Sequence, residues 1–298
     1  MKKLSVILSV LIVIGVGSYG VWKIFTASHR TEIRISTNPW VGFTPFIYAQ
    51  EKGWLEETPF RFLWVVDLSE NARLFDKGFA EGFTATQYEL SHFKNQQKFT
   101  IAFLIDKSDG ADAVLSNRSV EQLRNSNEKI AVYLEMGSLN QDMLNAFVRE
   151  YGIDKHNFIL VDSSQKSMDI VDYVKNPLII ITYEPYISQI RDKGLKVIAS
   201  TRTLKTFHAI DALFVQKSSL QKHHDDYQEL KVIFERAKMR LHGNPKEFYD
   251  TIKGYLEGES YEDFLAGTHQ IKWISADEDP VIIKTLRQQH VSMEGMLP

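Results

Sequence analysis

The chain has 298 residues, 44% of them hydrophobic and 24% charged, enough for one large domain or two medium ones with real cores. A net charge of -3 offers no basic surface for nucleic acid. The absence of cysteine excludes disulfides, thiolate catalysis and Cys-ligated zinc or iron–sulfur centres.

Lys2 and Lys3 precede an almost uncharged apolar run over residues 4–22. This is the pattern of an export signal with its lysines on the cytoplasmic side, and it is close to the ~20 residues of a membrane helix. Ser18-Tyr19-Gly20 offers a cleavage site, but Trp22 and Phe25 follow it, so an uncleaved anchor is expected ahead of a cleaved signal. Residues 1–29 are therefore read as signal or anchor plus tether, with the rest of the chain in the periplasm.

Ile33 and Ile35 alternate with Arg34 and Ser36 and predict a short strand. Asn38-Pro39-Trp40-Val41-Gly42 breaks into a loop. Thr44 reads as an N-cap, Pro45 suits the first helical position, and Gly53 stops the helix. Trp40, Gly42, Phe43 and Thr44 thus lie beside a helix N-terminus with unspent N–H donors, which suits a small ligand. The same residues also fit a plain turn carrying two core aromatics.

A strand over 60–66 leads to a helix capped by Ser69 and ended by Gly78. A strand over 83–85 ends at Thr86 and Gln87, a helix runs to Phe93, and the apolar strand over 99–105 reads as a buried parallel one. This β-α-β-α-β-α-β order predicts an α/β sheet. A polar turn from Asp106 to Asp112 separates two strands. A short helix opens at Ser119, and a strand covers 129–134. Ser138 and Gln141 form an S-x-x-Q capping box before a helix with Leu139, Met143, Ala146 and Phe147 on one face. Strands over 158–161, 178–181 and 195–199 and helices over 168–174 and from Tyr183 to Gly194 complete a second α/β unit. After a strand over 211–215 the pattern turns helical, with Asn244 and Ser260 as caps. Chain crossings near 115–119 and 200–209 would join two lobes through a hinge.

Several side chains are placed to meet a ligand. Thr86 and Gln87 end a strand, where α/β proteins usually bind. Asp106, Ser108 and Asp112 cluster at the first crossing, where turn capping is their alternative role. Ser138 and Asn140 top a capped helix. Glu184 opens another, flanked by Tyr183 and Tyr186. Nine histidines form no metal spacing, and His223-His224 reads as a solvated pair. No G-x-G-x-x-G, P-loop or G-x-S-x-G motif is present.

These residues together resemble the periplasmic solute-binding proteins of the nitrate, taurine, aliphatic-sulfonate and thiamine-precursor group, over residues 33–239. The segments that carry the likeness are Pro39-Trp40-Val41-Gly42-Phe43-Thr44-Pro45 with Ala49-Gln50-Glu51-Lys52-Gly53-Trp54; Asp106-Lys107-Ser108 with Gly110-Ala111-Asp112-Ala113; and Tyr183-Glu184-Pro185-Tyr186 with Gly194. The resemblance implies a type II periplasmic binding fold, two α/β lobes closing on a small molecule, and delivery to an ABC importer. The chain departs from the group at Gly78-Phe79-Ala80-Glu81-Gly82-Phe83 and at Asn176-Pro177, both expected near lobe faces.

The expected division is 30–116 with 205–298 for lobe 1 and 117–204 for lobe 2. The expected function is non-enzymatic solute binding without cofactor or metal, by a monomer, with a membrane-tethered sensor presenting ligand to a receptor as the second reading. An enzyme on the same fold ranks behind both. The ligand-binding set is Trp40, Gly42, Phe43, Thr44, Thr86, Gln87, Asp106, Ser108, Asp112, Ser138, Asn140, Tyr183 and Glu184. Its acids and aromatics favour an amine or aminopyrimidine-like ligand over an oxyanion.

Overall fold

The computed structural model describes residues 31–170, 176–256, 258–274 and 279–298. The signal or anchor expected at 1–29 and the end of the helix expected at 168–174 lie outside them. Among the described residues no helix is long and apolar enough to cross a membrane.

The first unit runs β1 (Ile33–Thr37), α1 (Thr44–Glu51), β2 (Phe60–Trp64), α2 (Leu68–Asp76), β3 (Gly82–Thr86), α3 (Gln87–Ser91) and β4 (Phe99–Ser108). The second runs β5 (Asp112–Ser116), α4 (Val120–Arg124), β6 (Ile130–Leu134), α5 (Leu139–Tyr151), β7 (Phe158–Asp162), β8 (Leu178–Tyr183), α6 (Tyr186–Asp192) and β9 (Lys196–Ser200). The chain then returns through β10 (Ile210–Gln216), α7 (Lys217–Lys222), α8 (His224–Gly243), α9 (Pro245–Ile252), α10 (Tyr261–Thr268), β11 (Ile271–Trp273) and α11 (Pro280–Gln288).

Two sheets result. One has the order β11-β4-β10-β3-β1-β2, the other β7-β6-β8-β5-β9, and each is the centre of a lobe. β1, β2 and β3 are parallel, whereas β10 runs antiparallel to both β3 and β4. β4 is therefore not the parallel strand its apolar run suggested. Its run follows from burial on both faces. Phe103 and Ile105 belong to one core with Phe46 and Phe234, while Ile101 and Leu104 join a second with Phe83, Phe214 and Leu286. A strand covered on both sides reads as continuously apolar in either direction.

β5 sits in the second sheet between β8 and β9. The first crossing is accordingly the turn between Ser108 and Asp112, ahead of the position at 115–119 read from sequence. The second lies between Ser200 and Ile210. Thr201 ties the two crossings together: its Oγ1 accepts from Gly110 N at 2.8 Å and bonds Ser108 Oγ at 2.8 Å, and its N donates to Asp112 O at 3.0 Å. Gly110 holds φ +121°, a conformation that only glycine adopts without strain. The other side of lobe 1 is a helical layer. Tyr227, Leu230, Phe234, Ala237 and Leu241 of α8 face inward, and Phe234 lies 4.8 Å from the Phe46 ring of α1. Phe248 of α9 stacks on Tyr48 of α1 at 4.5 Å. These contacts hold α1, and so the loop before it, in place.

Candidate ligand site between the lobes

β4 leads from the first sheet into the second lobe, and the β1–α1 loop meets that lobe through Trp40 and Tyr183. A 3-10 turn over Val41–Phe43 precedes α1. Thr44 is the first helical residue, not the cap: its hydroxyl donates back to Val41 O at 2.7 Å. Phe43 is fully buried in the core. Trp40 is also buried and meets Tyr183 of the other lobe edge-on, with 5.7 Å between centroids. Gly42 makes room for Asp106. A Cβ at position 42 would lie 1.8 Å from Asp106 Oδ2 and 2.9 Å from Trp40 Nε1.

Asp106 is paired across strands with Asp211, so two carboxyl groups lie side by side inside the protein. Both are buried, and burial pushes both toward the protonated form, helped at Asp106 by repulsion from Asp112 and at Asp211 by repulsion from Asp106 and Asp112. Neither Asp106 oxygen has a hydrogen bond of good geometry, and the same is true of Trp40 Nε1 beside it. Asp112 follows across the turn, pushed up to about 7 by burial despite a hydrogen bond from Ser108. Glu89, Glu135 and Glu184 are buried along the same boundary, and burial raises each of them, Glu135 to about 7. Lys238 is the one buried base among the described residues; it lies on α8 and pairs with Glu235 at 2.6 Å. The buried charge where the lobes meet is entirely acidic.

Two cavities lie between the lobes. The inner one is walled by Asn38, Pro39, Val66, Tyr183, Pro185, Tyr186, Tyr255 and Leu256, and is shut down to about 10 Å³, room for about one water. Both amide atoms of Asn38 and the hydroxyl of Tyr183 are buried here without a hydrogen-bond partner. Unsatisfied buried polar groups cost free energy. The outer cavity, about 330 Å³, has lobe 1 residues Ser69, Arg73, Glu89 and His92 on one side and Met136, Gly137 and Asp162 on the other.

Of the residues singled out in the sequence, Trp40, Asp106 and Tyr183 combine burial at the junction with unpaired polar atoms. The others have their polar groups engaged. Thr86 caps α3, and Gln87 spans to the second crossing, donating to His208 O at 2.5 Å and accepting from Ile210 N at 2.9 Å. Ser108 bonds Thr201. Ser138 caps α5 through Asn140 N, and the Asn140 amide donates to Ile181 O at 2.8 Å. The capping box read at Ser138 and Gln141 does not form; the first amide of α5 instead donates to Glu89. Glu184 accepts from Ser188 N and from Gln270 Nε2 of lobe 1 at 3.1 Å. Ser69 is not the cap of α2, which starts at Leu68 after Asp67.

Sequence reasoning missed Asn38, Glu89, Glu135, Asp211 and Tyr255 as junction residues. Asn38 stood in the loop already singled out and was the most accessible of these. Asp211 gave a signal too, an acid opening an otherwise apolar strand. The departure at Gly78–Phe83 is not at a lobe face: Glu81 accepts from Arg34 N and Nη2, both at 2.7 Å, near the N-terminal ends of β1 and β3, away from the cleft.

Compared as a sequence, the chain matches no family model and no curated protein. Compared as a structure, it matches the ligand-binding component of an ABC-type import system from Staphylococcus aureus, solved with zinc bound, with TM-score 0.68 and 11% identity over 90% of this chain and 97% of that one. It matches the periplasmic aliphatic sulphonate binding protein of Escherichia coli with TM-score 0.67 and 11% identity, over 91% and 92% of the two chains. The periplasmic nitrate-binding protein of Synechocystis matches with TM-score 0.60 and 10% identity, over 78% of this chain and 68% of that one. The fold is the type II periplasmic binding fold, two α/β lobes with a hinge, as the sequence resemblance implied. Among the described residues no group of three or more His, Asp or Glu is placed to hold a metal ion.

Proposed function

We propose that this protein is an extracytoplasmic solute-binding protein that closes on a small organic molecule and delivers it to an ABC importer. We further propose that the solute is an amine or aminopyrimidine-like cation and not an oxyanion. The observation that carries the ligand reading is the sign of the buried charge: Glu89, Asp106, Asp112, Glu135, Glu184 and Asp211 gather at the lobe junction with no buried Lys or Arg among them. Asp106 has no hydrogen bond of good geometry to either oxygen and burial holds it toward the protonated form, so a cation held against it gains by ionising it. Trp40, Tyr183, Tyr186 and Tyr255 add ring faces, which attract ammonium groups.

The fold supports the transport reading, since the S. aureus, E. coli and Synechocystis proteins are named as ligand-binding components or binding proteins. The apolar run over 4–22 supports export and an inner-membrane tether. The inner chamber is too small for a solute while shut, so binding proceeds through lobe opening and ends in closure. The test is a thermal-shift panel of amines, aminopyrimidines, sulfonates and nitrate on the purified protein. A solute at 100 times its Kd adds about 2.7 kcal/mol of stability. Stabilisation by amines alone supports the reading, and stabilisation by sulfonate or nitrate alone refutes it.

A further inference from the structure

The wall of the inner chamber holds a buried amide with no partner among the described residues. Asn38 follows β1 directly and is 1% exposed, and neither its Nδ2 nor its Oδ1 makes a hydrogen bond there. A loop asparagine ordinarily bonds nearby backbone or caps a helix. Asn38 does neither: the 3-10 turn is entered from Trp40 and α1 from Phe43. Across the chamber the Tyr183 hydroxyl of lobe 2, in a residue 2% exposed, is unpaired as well. The shut chamber has room for about one water, and a solute that takes that place must offer these groups the bonds a water can make.

An asparagine amide presents a donor and an acceptor in one plane. A group that meets both at once carries an acceptor beside a donor in its own plane, as the amino and ring-nitrogen edge of adenine does for an asparagine. An ammonium group has donors only and leaves Nδ2 unmet. A sulfonate or nitrate has acceptors only and leaves Oδ1 unmet. The surrounding rings favour a flat partner. Trp40 and Tyr186 each meet Tyr183 edge-on, with centroids 5.7 Å away and planes at 81° and 79°, and Tyr255 adds another ring to the wall.

We propose that Asn38 is a specificity-determining residue of the inner chamber, and that it selects a solute with a flat edge bearing an N–H donor next to an acceptor: an amino-substituted nitrogen heterocycle or a carboxamide. The inference rests on the two-lobe solute-binding reading above and concerns the edge of the solute, whatever its charge. Tyr183 supplies a third bond from the other lobe as the two close.

The experiment is titration calorimetry of the full chain at mildly alkaline pH with two matched pairs of neutral probes. The aminopyridine whose amino group lies next to the ring nitrogen differs from aniline by the acceptor alone. Benzamide differs from acetophenone by the donor alone. The edge-bearing member of a pair is expected to bind about tenfold or more tighter than its counterpart, a factor worth ~1.4 kcal/mol. Preference in the first pair assigns a heterocycle and in the second a carboxamide; no preference in either overturns the inference. Asn38→Leu removes both edge atoms at similar volume. It is expected to erase the preference and to leave the solute-free fold at least as stable, since the atoms removed had no partner. An asparagine with a purely structural role would lose stability and leave the preference unchanged, and that result overturns the inference too. If Asn38→Leu does not fold, Asn38→Ala carries the same expectation, and a preference that survives in it is equally fatal. A wild type that shows the preference but binds no cationic amine removes the amine assignment and leaves this inference standing; one that binds cationic amines without the preference does the reverse.

Discussion

Asp106 is the residue where fold and proposed function are in tension. Its carboxyl lies beside Asp211, over Gly42 and against Trp40, with no hydrogen bond to either oxygen. Burial raises Asp106, Asp112 and Glu135 above their unfolded values, so the folded protein holds more protons than the unfolded chain between about pH 4 and 7. The stability these groups contribute is full below about pH 4 and is lost as pH rises through their folded values. Without solute, unfolding should therefore become easier from pH 5 to 8, measured by urea denaturation. Asp106→Asn cannot ionise, so it should flatten that decline and be more stable than the wild type at pH 8 relative to pH 5. The same variant should lose amine binding. Gly42→Ala should do harm from the other side: a methyl 1.8 Å from Oδ2 must displace the carboxyl, lowering both stability and affinity. The sequence already singled out Asp106, Trp40 and Gly42, because loop and turn chemistry marks such residues locally. Asp211 escaped because its meaning depends on strand pairing with a segment far along the chain.

At the scale of elements, most strands and helices were legible from period and punctuation. Alternation marked β1, a one-sided apolar face marked α5, and Asn244-Pro245 marked α9. Direction and membership were not legible. β4 and β5 have the same apolar look whether they run parallel or antiparallel, or belong to one sheet or the other, because both are buried on two faces. The short edge strand β11 and the terminal helix α11 gave no pattern that was read. The caps differ for a related reason: Ser69 and Ser138 each stand near a helix start, and the acids that complete those starts come from the opposite lobe. At the hinge one hydroxyl, Thr201 Oγ1, is shared between Ser108 and Gly110. Thr201→Val keeps the shape and removes both bonds. Two lost buried bonds at ~1 kcal/mol each predict about 2 kcal/mol of destabilisation, checked by urea denaturation, and more exposed amides at the crossings in hydrogen exchange.

As a whole, the molecule is a two-lobed clamshell with room for about one water in its inner chamber. Solute must enter an open form, so solute binding and lobe motion are one equilibrium. The acidic junction adds a second coupling, to protons. On the proposed reading, a cation that closed the lobes would ionise carboxyls that were protonated, and protons would leave as it bound. Affinity for the amine should then rise with pH through about 7 and level off only above about 8, once Asp112, Glu135 and Asp106 are ionised before binding. The most direct measurement is calorimetry of the purified protein with the best-binding amine at pH 6, repeated in two buffers of different ionisation enthalpy. Binding is expected with net proton release, so that the measured heat differs between buffers, and sulfonate and nitrate are expected to give no heat. Binding of sulfonate or nitrate in place of the amine, or amine binding with proton uptake, would contradict the proposed reading.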